Sequence, residues 1–215
     1  MQEEETNPRR SRGRPQVRSD EETLHVIVAA ARAEFLSQDF GAVSMAAVAQ
    51  RAGVSTKTLY RLVPTKADLF RQVVSARMER FLWDIDMGAL EAMEPGDALT
   101  RLLTIFGDLT LGEEATAMYK LAMTESGRFP EIAASFFEKA VQPTGHLIEN
   151  WLVRQCDQGV LRLDDPAAAS GMLRGMMLME PQRAFLLCQQ SLPDSEQIAA
   201  RARACAELFL QGCRT

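Results

Sequence analysis

The sequence predicts an all-α fold: an N-terminal three-helix unit built around a helix-turn-helix, followed by a larger C-terminal helical bundle. Three observations predict it. Apolar residues recur at helical spacing through most of the 215 residues, and no stretch shows the alternation of a strand. Serine, aspartate, proline and glycine punctuate that pattern where helices should begin and end. The stretch from Ser44 to Asp68, SMAAVAQRAGVSTKTLYRLVPTKAD, sets two short capped helices on either side of one glycine.

Composition narrows the class. A hydrophobic content of 47% is ample for a core, and no apolar run is long enough for a membrane span, so no membrane partner is expected. The N-terminus is acidic and then basic, unlike a signal peptide, which predicts a cytoplasmic protein. The four cysteines (Cys156, Cys188, Cys205, Cys213) show no metal-ligand spacing, and His25 and His146 read as surface or satisfied histidines rather than ligands. No metal and no cofactor are expected. The net charge of −5 is divided unevenly: residues 1–80 carry 13 Lys and Arg against 10 Asp and Glu, and residues 81–215 carry 11 against 19. A basic head on an acidic body suits a molecule that meets a polyanion through one end.

Residues 1–18 lack apolar periodicity and read as a flexible basic arm. Within it, Arg12-Gly13-Arg14-Pro15 resembles the core of an AT-hook, whose extended arginines lie in a narrow A·T minor groove. Ser19 to Glu22 is a capping box, and the first helix is predicted to run to about Gln38, with Ile27, Ala31 and Phe35 facing the core. Ser44 caps the second helix, Val48 and Ala52 share its buried face, and Gly53 ends it in the left-handed conformation that glycine tolerates. Val54 plugs the turn. Ser55 caps the third helix, Thr56 to about Leu62, with Leu59 and Leu62 inward. Its outer face carries Thr56, Lys57, Thr58, Tyr60 and Arg61, a set of hydroxyls and cations suited to a DNA major groove. Pro64 stops it. Thr65 and Asp68 open the next helix, with Lys66 in its first turn, where exposed N–H groups favour a phosphate. That helix continues through Val74, Met78 and Phe81 to about Asp86 and would connect head to body.

At this point a family resemblance carries its own implications. The pieces IVAAARAEFLSQDFGAVSMAAVA, RAGVSTKTLY and TKADLF, between about Leu24 and Phe70, resemble the N-terminal domain of the TetR (tetracycline-repressor) family of transcriptional regulators. One departure is Leu62-Val63, where the family usually has an aromatic or histidine followed by Phe. The resemblance implies a homodimeric, DNA-binding regulator with a helix-turn-helix domain at 19–65 and a ligand-binding and dimerisation domain at 66–215. Base readout would fall to Thr56, Lys57 and Thr58, and phosphate contacts to Ser44, Tyr60 and Lys66, with Ser55 and Arg61 on the same surface and Arg12 and Arg14 in the arm.

The body reads as further helices: Pro95 to about Leu109, Glu113 to Ser126, Pro130 to about Gln158 with a kink at Pro143, Asp165 to about Met179 with Pro181 bending or breaking it, and Ser195 to Gly212. The resemblance, weaker here, implies dimerisation through the last two long helices. Small residues such as Ala167, Gly171, Gly175, Ala202 and Ala206 would allow their close approach. Nine of the 11 methionines and both tryptophans come after residue 77. Flexible, polarizable Met suits a pocket for a variable apolar effector. Candidate lining residues are Phe81, Phe106, Met118, Met123, Phe137, Trp151, Met172 and Met176, each equally at home in an ordinary core.

The function expected is a repressor released from a near-palindromic operator by a small, largely apolar effector. The alternatives are a thiol-switched regulator, with Cys205 and Cys213 too far apart along one helix to bridge, and an effector-free architectural DNA binder. An enzyme is not expected: the sequence has no nucleophile–base pairing, phosphate loop or paired acid motif.

Overall fold

The computed structural model describes residues 18–83 and 85–213. Eleven α-helices are present among the described residues, and no strand. The head comprises α1 (Asp20–Ser37), α2 (Met45–Ala52) and α3 (Thr56–Leu62), with α4 (Lys66–Trp83) leading out of it. Each start has a side-chain cause. Ser19 Oγ accepts from Glu22 N at 3.1 Å while Glu22 Oε2 accepts from Ser19 N at 2.8 Å, a closed capping box. Thr65 Oγ1 accepts from Asp68 N at 3.0 Å and donates to its carboxylate at 2.7 Å.

The body follows as α5 (Met87–Glu91), α6 (Pro95–Thr110), α7 (Glu113–Glu125), α8 (Pro130–Phe136), α9 (Gln142–Asp157), α10 (Pro166–Leu186) and α11 (Ser195–Cys213). The short α5, capped by Asp86, has no counterpart among the predicted elements. Between α8 and α9 the chain makes one wide π turn, Phe137–Val141, in which Gln142 N–H reaches Phe137 O. Pro143 explains it. Its ring would crowd the carbonyl four residues back and offers that carbonyl no donor, and a widened turn relieves both.

Pro181 does not break α10, contrary to expectation. The helix runs five residues past it, to Leu186. The reason lies on α11: Arg201 donates through Nε and Nη2 to Met176 O at 2.9 and 2.6 Å, and through Nε to Met177 O at 3.0 Å. Proline at 181 removes the N–H that Met177 O would otherwise receive, and the guanidinium supplies the missing donor.

Two cores result. The first joins α1–α4 around stacked and edge-on Phe35, Phe40 and Phe70, but it also takes in Met118, Leu121 and Ala122 of α7 and Ile132 of α8. The second packs α6, α9, α10 and α11 around Leu102, Leu103, Trp151, Leu173 and Ala202. The α6–α11 contact depends on Gly107, where a Cβ would stand 2.6 Å from Ile198 Cγ2.

Candidate DNA-binding surface and internal cavity

The helix-turn-helix is built from local signals. Ser44 Oγ accepts from Ala47 N at 3.1 Å, and Gly53 sits at φ 66°. Gly53 N–H then reaches Gln50 O and Val54 N–H reaches Ala49 O, so the turn closes the last carbonyls of α2. Ser55 Oγ accepts from Thr58 N at 3.0 Å and shares a 2.8 Å hydrogen bond with the Thr58 hydroxyl. Leu59 and Val63 are buried beneath α3, so the Val63 departure is absorbed in the core, while Leu62 is half-buried.

The opposite face of α3 is open. Ser55, Thr56, Lys57, Tyr60 and Arg61 are exposed and Thr58 is half-buried. Among the described residues, Lys57 has no ion-pair or side-chain hydrogen-bond partner. Ser44 and Ser55 spend lone pairs on their caps, and Ser44 keeps its hydroxyl hydrogen to donate. Arg61 is different: Nη1 and Nη2 each donate to an Asp20 carboxylate oxygen at 2.7 Å, a bidentate pair across to the start of α1. That bond holds the Asp20 carboxyl below its ordinary range and raises the Arg61 guanidinium.

Lys66 does not present its charge outward as a phosphate contact requires. Its Nζ donates to Phe40 O at 2.6 Å, Val43 O at 2.9 Å and Gly41 O at 3.2 Å, and lies 4.6 Å from the centroid of the Phe40 ring. All three N–H groups are used inside the α1–α2 loop. Burial pulls the ammonium below its ordinary value, while Glu125 opposes that shift. Arg12 and Arg14 lie outside the described residues.

A cavity of about 390 Å³ opens between α4, α6, α7, the π turn and α10. Two of the candidate lining residues, Phe106 and Met118, stand on its wall. The other candidates do not. Phe81 borders a second hollow of about 410 Å³ between α1, α4 and α6, beside Arg80 and Arg101. Trp151 is buried in the second core at 1% exposure, and Met176 packs against that core. Met123, Phe137 and Met172 point to solvent, at 50%, 55% and 66% exposure. Helical spacing places residues on faces, but which faces enclose a void depends on how helices distant in sequence cross. The sequence reading missed Tyr119, Thr144, Arg174 and Gln182 on the wall, and the charged pair Arg77–Glu114. Glu114 Oε2 takes Arg32 at 2.5 Å and Arg77 at 3.1 Å, and Arg77 also donates to Leu109 O at 2.7 Å. Gly171 and Gly175, one turn apart, were the visible signal, since both open α10 onto the cavity.

All four cysteines are free. Burial pushes the Cys205 and Cys213 thiols up, and Cys156 raises Cys213 further. Cys156 on α9 and Cys213 on α11 are both half-buried against the second core, and Arg162 N–H meets Cys213 O at 3.0 Å.

A capped helix-turn-helix with an open polar recognition face, carried on a helical body with its own cavity, defines a DNA-binding transcriptional regulator. Two family profiles match: "Bacterial regulatory proteins, tetR family" over residues 27–73 and "AefR-like transcriptional repressor, C-terminal domain" over residues 97–212. The chain belongs to the TetR family. It is 30% identical over 120 residues to the HTH-type transcriptional repressor KstR of Mycolicibacterium smegmatis, a stretch covering 56% of each chain, so it spans about half the length of that curated relative. Among solved structures, a regulator from Mesorhizobium loti assigned to the TetR family superposes with a TM-score of 0.82 at 22% identity, covering 93% of this chain and all of the other. The Flavonoid-responsive Regulator FrrA superposes with a TM-score of 0.74 at 29% identity, covering 89% of this chain and 97% of that one. No described helix is long and apolar enough to cross a membrane.

Proposed function

We propose that the protein is a homodimeric repressor that leaves a near-palindromic operator when a small, largely apolar effector fills the cavity between α4 and α10. One observation carries the reading: Val73 and Val74 of α4 belong to the core of the head and also line the cavity. Occupancy of the cavity therefore bears on the element that seats the DNA-reading unit. Thr56, Lys57 and Thr58 would read bases, Ser44 and Tyr60 would hold phosphates, and Arg12 and Arg14 would enter the adjacent minor groove. The apolar residues Met172, Met179 and Leu208, each more than 60% exposed on α10 and α11, supply the surface for a second copy. That KstR is a repressor and FrrA is flavonoid-responsive supports repression and a small-molecule signal. A coupling of about 1–3 kcal/mol between cavity and operator suffices for induction.

The test is a footprint on the DNA upstream of the protein's own gene, with and without residues 1–18. A protected near-palindrome, losing only its flanks in the truncated form, is expected. Diffuse protection with no defined site would instead favour an architectural binder. Cys156 and Cys213, both packed against the second core, make a thiol switch the second reading. A variant with all four cysteines replaced by serine that is still released by an apolar compound removes it.

A further inference from the structure

The cavity holds one charged group that no described residue answers. Arg174 projects from α10 into its wall, and among the described residues it makes no ion pair and no hydrogen bond; its Nε–H is buried without an acceptor. Arg174 as a whole is half-buried, but a buried donor with no partner is costly. The other charges on the wall balance each other, because Glu114 is already held by Arg77 and by Arg32 from outside. Arg174 therefore leaves the cavity with one uncompensated positive charge.

Its position is built. Gly145 on α9 lies against the guanidinium, and a Cβ there would stand 3.1 Å from Arg174 Cζ. The buried Ser170 hydroxyl donates to Gly145 O at 2.9 Å and pins the same crossing of α9 and α10. The planar head is thus confined between two helices, with little freedom left to lose when a ligand binds. Apart from the Arg77–Glu114 pair and the neutral polar groups of Thr110, Tyr119, Thr144 and Gln182, the wall is apolar, with Val73, Met78, Phe106, Met118, Phe136 and Leu178 among its side chains.

We infer that the effector is an amphipathic monocarboxylate: an apolar body seated among these side chains and one carboxylate taken by Arg174. This rests on the cavity being the effector site and adds the chemical class of its occupant. A guanidinium matches a carboxylate with paired N–H donors, and away from bulk water such a bond is stronger than a neutral one.

Displacement of the neutral dye Nile red from the full-length protein tests it, with decanoate and its uncharged analogue decanol as competitors. Decanoate is expected to compete at least tenfold better than decanol. Arg174→Met, which keeps the stem, should abolish that preference and leave decanol unchanged. Gly145→Ala, which pushes the guanidinium from its seat, should weaken decanoate selectively and serves if Arg174→Met fails to fold. Equal competition by the two compounds, or a preference for decanoate that survives both substitutions, overturns the assignment of the carboxylate to Arg174 while leaving an apolar effector site intact. Failure of Nile red and both competitors to bind overturns the effector site itself.

Discussion

Lys66 offers the sharpest test of how the head is held together. Lys66→Met keeps the aliphatic stem and removes the ammonium. Three carbonyls then lose a donor: Phe40 O at 2.6 Å and Val43 O at 2.9 Å, both partly buried, and Gly41 O at 3.2 Å, which is exposed. Each bond to a charged donor contributes about 1.5–3 kcal/mol net where water is excluded. The exposed carbonyl recovers water, and the losses are not additive. The lost cation–π contact with Phe40 adds less than about 1 kcal/mol. The expected destabilisation is about 3 kcal/mol, a large part of the roughly 5–15 kcal/mol that holds a typical domain. Urea unfolding of the DNA-free protein should show a lower midpoint with an unchanged slope. DNA affinity against salt, measured on the folded fraction, should keep its slope, because no phosphate contact has gone. A variant with unchanged stability, whose salt slope falls by about 1, would refute this reasoning and return Lys66 to the DNA backbone.

Three further outcomes follow from named contacts. Asp20→Asn should release Arg61 toward a phosphate, strengthening DNA binding at low salt and steepening the salt slope by about 1. The Asp20 carboxyl is held below its ordinary range, so in the native protein the pair is present above that range and is lost only as pH falls through the lowered value. The same gain on acidification in the native protein, absent in Asp20→Asn, checks the sign. Arg201→Met should lower stability by about 2 kcal/mol in urea, since Met177 O loses its substitute donor opposite Pro181; an unchanged midpoint would show that water fills the gap equally well. Brief alkylation followed by mass spectrometry should modify the exposed Cys188 first and the buried Cys205 last.

The parts of this fold that were legible in sequence are those whose cause lies within a few residues. Ser19 with Glu22, Ser44, Gly53, Ser55 and Asp165 each satisfy backbone groups no more than four positions away, and each helix start, or for Gly53 helix end, predicted from them is where the structure has it. The failures share the opposite property. Pro181 is a local helix-breaker, overruled by Arg201 twenty residues on. Lys66 in a first helical turn reads locally as a phosphate ligand, yet its acceptors lie 23 to 26 residues upstream. Pro143 announced a disturbance, but not that one wide turn would absorb it. The cavity depends on which faces of α4, α6, α7 and α10 fail to meet, so Met123 and Met172 carried the right chemistry on the wrong faces.

The proposed release from DNA depends on α4 more than on any contact near α3. Its first turn places Lys66 under the α1–α2 loop, Leu69 and Phe70 enter the core of the head, and Arg77 and Met78 stand on the cavity wall. Lys66 and Met78 are about 18 Å apart along the axis at 1.5 Å per residue. No proline or glycine interrupts α4, so no kink or hinge is available to absorb a shift between the two ends. The far end is fastened by Arg77 to Glu114 and to Leu109 O, hence to α6 and α7. The head, however, also packs on α7 and α8 through Met118, Leu121, Ala122 and Ile132. A ligand that spreads α7 from α10 thus acts on the head twice, through α4 and directly through Met118, which lines the cavity and belongs to the head's core. The two routes can be weighed: Met118→Ala weakens the second, and the induction lost at saturating effector, once the change in effector affinity is measured separately, is the share that Met118 transmits.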